Sequence, residues 1–171
     1  MKKFEFTGEV KTCSNGLILH RIRARIRIDI GWRIVEIGEL GGWIEKECNL
    51  ANEGNAWVSG NARVSGNARV FGDAEVYGNA LVYGDAEVSK CEHYLVMGPM
   101  GSRNAFTTFV RDKEGAIKVK CGCFFGTIDE FLNKIKETHG DSRHAIVYRA
   151  AVEVAIAQID ATVELSIIHK E

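Results

Sequence analysis

Three things are missing from this chain, and each absence closes a class of function. There is no excess of charge. The sequence sets 22 Lys and Arg against 23 Asp and Glu, so no bulk potential draws it to nucleic acid polymers or to a membrane surface. No apolar run is long enough to span a bilayer, and the opening MKKFEFTGEV lacks the apolar stretch of a signal peptide. Nor is there a cysteine framework. The 5 cysteines are odd in number and irregularly spaced, which suits a reducing compartment better than a disulfide-stapled secreted domain. The expectation is a soluble cytoplasmic protein of one or two small domains, with neither a nucleic acid polymer nor a membrane as partner.

What the chain has in abundance is repetition. Residues 54–89 read GNAWVS GNARVS GNARVF GDAEVY GNALVY GDAEVS, one six-residue phrase with no slip. Ala and Val stand two apart in every unit, so on a strand both face one way, while the residue between them faces the other. Gly followed by Asn or Asp is the pair that most readily turns a corner. A unit this thin buries nothing alone, so the units must stack as a solenoid.

An aliphatic residue every six, with a small residue two before it, resembles the hexapeptide repeat of left-handed parallel β-helices. The resemblance implies triangular coils of three hexapeptides, hence two clean coils here, and it alone supplies the left hand. The chain is read as mainly β: an N-terminal β-strand cap (1–37), a short left-handed β-helix (38–89) and a C-terminal α+β domain (90–171). Eighteen-residue stacking places Trp57 over Glu75, Arg63 over Leu81 and Arg69 over Glu87, the last a candidate ion pair. Trp57, Phe71, Tyr77, Leu81 and Tyr83 are expected on the outside. Exposed aromatics of this kind mark interfaces or stack flat ligands, and the resembled class usually assembles as homotrimers.

Before the repeats, 3–10 and 17–30 read as strands around a turn at Ser14, Asn15 and Gly16. Ile22, Ala24, Ile26, Ile28 and Ile30 alternate with Arg21, Arg23, Arg25 and Arg27. The basic face is expected to be solvated and partly neutralised by Glu36, Glu39, Glu45 and Glu47. Residues 38–53 keep a blurred six-residue beat and read as an imperfect first coil, capped by Trp43 and Ile44.

After Ser89 the beat stops. A strand from His93 to Val96, a tight loop over GPMGSR and a hairpin around Lys113, Glu114 and Gly115 are expected. Thr127 with Glu130 forms a capping box opening a helix whose Ile128, Phe131, Leu132 and Ile135 share a face. A second helix is expected over about 142–160, and 163–167 alternates in a way that fits either state.

Two constellations here have chemical meaning. In the first, Gly98 and Gly101 let backbone N–H groups approach a ligand, and Ser102 and Arg103 offer a hydroxyl and a guanidinium to phosphate, with Thr107, Thr108 and Arg111 on the next strand. An ordinary turn with an exposed Arg is the plainer alternative, and neither a Walker loop nor a dinucleotide fingerprint is present. In the second, Cys121, Cys123, His139 and His144 make a weak zinc set. The Cys-x-Cys spacing is one residue tight and the histidines straddle Gly140, so buried thiols and a helix-end histidine are preferred and no metal or other cofactor is expected.

Acyltransferases with this β-helix use a histidine beside the coils, and carbonic anhydrases of the same architecture need three as ligands. Residues 49–89 contain none, leaving His93 or His139 as acyltransferase candidates. The order of blocks LGGWI, the GNA-x-V repeats and then GPMGSRN, TTFVR, CGCFFG and HGD is similar to a group of small phage and prophage proteins. Some phage β-helix proteins of this kind sequester cyclic nucleotide immune signals. The resemblance therefore implies a non-catalytic homotrimer in the host cytoplasm that binds a cyclic oligonucleotide or other small nucleotide. Its phosphates would go to Gly98, Gly101, Ser102, Arg103, Thr107, Thr108 and Arg111, and its bases to Tyr77, Tyr83 or Trp57. A hexapeptide-repeat acyltransferase and a structural or assembly protein of a phage are the alternatives.

Overall fold

The computed structural model describes residues 2–159; the 163–167 alternation lies outside the described residues. The chain divides between Cys91 and Glu92 into two compact units.

In the first unit, β1 (Phe4–Thr12) and β2 (Ile18–Ala24) form an antiparallel hairpin. The short β3 (Ile28–Asp29) and β4 (Ile34–Val35) pair with each other. β5 (Leu40–Ile44) runs antiparallel to β2 on one side and parallel to a repeat strand on the other, so it converts hairpin into solenoid. Each repeat then supplies a two-residue strand: β6 (Trp57–Val58), β7 (Arg63–Val64), β8 (Arg69–Val70), β9 (Glu75–Val76), β10 (Leu81–Val82) and β11 (Glu87–Val88). The parallel pairs are β6 with β9, β7 with β10 and β8 with β11, with Trp57 on Glu75, Arg63 on Leu81 and Arg69 on Glu87. These are the partners that the eighteen-residue spacing dictates.

Every repeat Ala and Val is buried, as the alternation requires. The backbone ladder closes between coils, for instance Trp57 N–H to Ala74 O at 2.9 Å and Ser65 N–H to Val82 O at 3.0 Å. At two corners an Asn amide donates to the Asp one coil on, Asn55 to Asp73 at 3.0 Å and Asn67 to Asp85 at 3.1 Å. Where an ion pair with Glu87 was one expectation for Arg69, its guanidinium lies over the Phe71 ring, 5.6 Å from the centroid.

The blurred beat before the repeats is a real but longer coil. Ile44 pairs with Val64 and Leu50 with Val70, each step two residues longer than that from Val58 to Val76. Gly41 and Gly42 allow it to lie close. A Cβ on Gly41 would stand 2.7 Å from Val58 O, and one on Gly42 2.8 Å from Ala62 O. Lys3 is fully buried and donates its ammonium to Ala56 O at 2.7 Å, and desolvation lowers its pKa to about 8.

Three expectations are corrected here. Trp57 does point away from the coil interior, yet it is 0% exposed. Its ring lies beside Gly41, which in turn abuts Ile22, because the N-terminal strands cover that solenoid face. The same cover buries Glu75, which accepts from Arg33 at 2.9 Å and from Ser59 at 2.9 Å. Trp57 is thus core and presents no ring to a ligand. Second, the strand expected over 17–30 is interrupted after Ala24, although the alternation of inward aliphatic and outward Arg persists through the bend, with Ile26 half-buried. Third, the arginines take carboxylates largely from β1. Arg21 meets Glu9 at 3.6 Å, Arg23 and Arg25 both meet Glu5, and only Arg27 uses an expected partner, Glu36, at 3.8 Å. Strand pairing brings Glu5 opposite Arg23, a register that no local pattern states.

In the second unit, β12 (Tyr94–Met100), β13 (Ala105–Arg111), β14 (Ile117–Cys121) and β15 (Phe124–Thr127) form an antiparallel meander. Two helices pack on it, α1 (Ile128–His139) and α2 (Arg143–Ile159). Thr127 caps α1 by accepting from Glu130 N–H at 3.3 Å, and Glu130 accepts from Thr127 N–H at 2.8 Å, the reciprocal box its sequence spells. Phe109, Val119, Phe131, Ile135, Tyr148, Val152 and Ala155 form the shared core. The GPMGSR stretch is less of a loop than expected. Gly98 and Pro99 belong to β12, and the turn is confined to 101–104. Among the described residues no helix is long and apolar enough to cross a membrane.

Candidate functional site

The second unit contains a cleft of about 320 Å³ whose lining comes from four separate stretches of chain. The turn after β12 supplies Ser102 and Arg103, and the β14–β15 hairpin supplies Cys121, Gly122, Cys123 and Phe124. One stripe of α1 supplies Phe131, Lys134, Ile135, Thr138 and His139, and α2 supplies Tyr148. The α1 residues fall at i, i+3, i+4, i+7 and i+8, so a single helix face carries both the apolar floor and the polar rim.

Tyr148 organises the floor. Its ring is edge-on to Phe131 at 5.6 Å and stacked with His139 at 5.8 Å, and its hydroxyl lies 3.7 Å from Cys121 Sγ. A Cβ on Gly101 would fall 1.8 Å from that hydroxyl, so only glycine permits the turn to close over the ring. With Gly101 at φ 71°, space and backbone conformation demand the same residue. Burial, with the Cys121 thiol adding to it and Arg103 opposing, raises the phenol pKa to about 12.

The rim is basic. Arg103 is exposed and lies next to the hairpin turn, since a Cβ on Gly122 would stand 3.6 Å from its Nη1. Lys134 is exposed on α1, where it also meets Glu137 at 3.2 Å. Lys120 donates to Gly122 O; desolvation lowers its pKa while Cys123 and Cys121 work the other way. Guanidinium, ammonium and turn N–H groups around aromatic walls can hold a small anion that carries a flat ring.

The residues singled out in sequence distribute unevenly. Gly101, Ser102 and Arg103 belong to the cleft. Gly98 does not; its φ of 154° and the place its Cβ would take, 2.8 Å from Ala105 O, make it a close-approach point between β12 and β13. Thr107 and Thr108 are buried and absent from the lining, and Arg111 lies at the far end of β13 beside Gly115. Tyr77 and Tyr83 belong to the first unit. Tyr77 is exposed, and Tyr83 is half-buried with its pKa pushed up to about 12 by desolvation. His93 closes the short turn Cys91–His93.

Cys121, Cys123 and His139 do converge on the cleft, and His144 lies 5.7 Å from His139 ring to ring. Among the described residues no group of three or more His, Cys, Asp or Glu side chains could hold a metal ion. The hairpin explains this: Cys121 ends β14 and Cys123 sits exposed in the two-residue turn before β15, while the histidines flank the helix junction. Sequence reasoning missed Tyr148, Lys134 and Phe124. Lys134 was recoverable from the α1 stripe, whereas Tyr148 depends on the packing of α2.

Residues 56–72 and 62–76 match the family model of the YdcK Beta solenoid repeat, and a comparison with curated proteins finds no match. The repeats of this chain are therefore β-solenoid repeats. The match falls wholly within the coils, and the cleft-bearing unit lies outside it.

Proposed function

We propose that this protein binds small anionic nucleotides without turning them over, and that it acts as a sponge for cyclic nucleotide immune signals. The observation that supports this best is the cleft itself, where Arg103 and Lys134 flank a floor of Phe124, Phe131 and Tyr148. Phosphate goes to Arg103, Ser102 and Lys134, and a base lies against the aromatic floor. The cleft volume stands at the lower end of small-molecule sites, which span about 300–1,000 Å³. One nucleotide unit of a larger cyclic ligand is enclosed in each chain. The phage-protein likeness of the block order supplies the ligand class. The separate likeness of the repeat to the hexapeptide repeat of left-handed β-helices supplies the left hand of the coils, their hexapeptide organisation and a homotrimer standing on them, with Tyr77 as a contact between chains.

The test is thermal shift of the purified chain with cyclic di- and trinucleotides, followed by heating and recovery of the ligand. A stabilisation that Arg103→Gln removes, with the ligand recovered intact, is the expected result. No shift with any nucleotide would sink the sponge reading. Altered ligand would make the protein an enzyme, and turnover of acetyl-CoA lost in His93→Ala or His139→Ala would make it an acyltransferase.

A further inference from the structure

The cleft also contains two thiols in an unusual setting, and their chemistry does not depend on what else the cleft binds. Cys121 ends β14 and Cys123 follows Gly122 in the two-residue turn, and both line the same cavity. Residues two apart lie within about 7 Å at Cα even when extended, and a turn draws them closer, which is inside the span a disulfide bridges. Cations flank the turn: Lys120 donates to the Gly122 carbonyl, and a Cβ on Gly122 would stand 3.6 Å from Arg103 Nη1. Positive groups beside the hairpin attract anionic reagents to it.

The two sulfurs are not equivalent. Cys123 is exposed, whereas Cys121 is half-buried with Tyr148 Oη 3.7 Å from its sulfur. One thiol is placed to meet an incoming reagent and the other to follow it. The surroundings select that reagent, because Arg103 and Lys134 favour anionic groups while Phe124 and Tyr148 offer apolar wall.

We propose that Cys121 and Cys123 form a dithiol site that exchanges with small anionic disulfides entering the cleft. The Cys123 thiolate attacks one sulfur of the incoming disulfide, forming a mixed disulfide and releasing one half as a thiolate that takes a proton from solvent. Cys121 loses its proton to solvent and attacks Cys123 Sγ, which closes the Cys121–Cys123 disulfide and releases the second half. Two electrons pass from the protein dithiol to the incoming disulfide, which leaves as two thiols.

The experiment takes the reduced full chain and two alkyl disulfides whose leaving thiols are of similar acidity, the anionic glutathione disulfide and the cationic cystamine, with oxidation followed by peptide mass mapping. The anionic probe is expected to oxidise Cys121 and Cys123 to their mutual disulfide before it reaches Cys48 or Cys91, and at least about tenfold faster than cystamine does. Paired Arg103→Gln and Lys120→Gln substitutions should bring the two probes to similar rates. Cys121→Ser should stop the reaction at a stable adduct on Cys123. Prior labelling of Cys48 or Cys91, a lasting adduct on Cys123 in the unaltered chain, or equal rates with the two probes would each overturn the proposal.

Discussion

The coils and the C-terminal unit solve the same burial problem by opposite means. Each coil stacks Val on Val from residues one turn of the solenoid apart, with every repeat Ala buried as well. Its interior is therefore uniform, each layer resting on the one before it. The C-terminal unit draws the turn after β12, a hairpin and two helices onto Phe131 and Tyr148. Convergence of that kind produces a concave site with unlike groups around it, whereas repetition produces layers that are alike. Substitutions in the two regions should therefore fail in different ways.

The largest effects belong where the N-terminal strands meet the first coils. Valine at Gly41 would drive its side chain into Ile22, Val58 O and the Trp57 ring, all within 2.8 Å of the new Cβ. Since backbone cannot yield there, Gly41→Val is expected to cost more than about 4 kcal/mol and to unfold the first unit. Chemical denaturation followed by far-ultraviolet circular dichroism would show helix signal surviving the loss of the first unit. Trp57→Ala, which empties a fully buried site, should cost about 3–5 kcal/mol. A cost below about 1 kcal/mol would mean that the ring is solvent-facing after all.

These two residues also show what the sequence could and could not reveal. The coil register, the Ala and Val interior, the α1 cap and the α1 face all follow from spacing over eighteen residues or fewer, and all were legible. Burial of Trp57 was not, because the repeat pattern gives the direction of a side chain but not what lies over it. The partners of Arg21, Arg23 and Arg25 sit on β1, across a hairpin with a bulge between Phe6 and Val10, so counting along the chain named the wrong carboxylates. At the cleft, Gly101, Ser102 and Arg103 stood out by composition. Tyr148 became visible only through its hydroxyl lying against the place of a missing Gly101 side chain.

A smaller effect separates the units by pH. Lys3 has a folded pKa of about 8 against an ordinary value of 10.5. Between those values the unfolded chain binds the proton that the folded one has released, so stability rises with pH; the gain is lost as pH falls through 8. Above its ordinary value of 10.0, Tyr83 acts in the opposite sense, because its folded pKa is about 12 and only the unfolded chain ionises. Thermal denaturation of the first unit should therefore show stability climbing by on the order of 2 kcal/mol from pH 8 to pH 10 and then declining. In Lys3→Met the climb should vanish.

In the other unit, Thr127→Ala removes the acceptor for Glu130 N–H and should cost about 1 kcal/mol. Hydrogen exchange would place the loss in α1 and leave the coil amides as protected as before. Equal loosening of the coils would show the two units to be one cooperative block.

The smallest stability change is expected where the proposed function is most sensitive. Arg103 is exposed and makes no contribution to the shared core, so Arg103→Gln should alter stability by no more than about 0.5 kcal/mol. Its loss from the rim removes a charge-assisted contact to phosphate, and nucleotide affinity should fall by about tenfold or more, as removal of a 1.5–3 kcal/mol bond implies. Tyr77→Ala, on an exposed coil position, should leave that affinity unchanged if the ligand belongs to the cleft. Titration of both variants by calorimetry decides between the two regions. Weakened binding in Tyr77→Ala with none in Arg103→Gln would move the ligand to the coils and leave the cleft to its thiols.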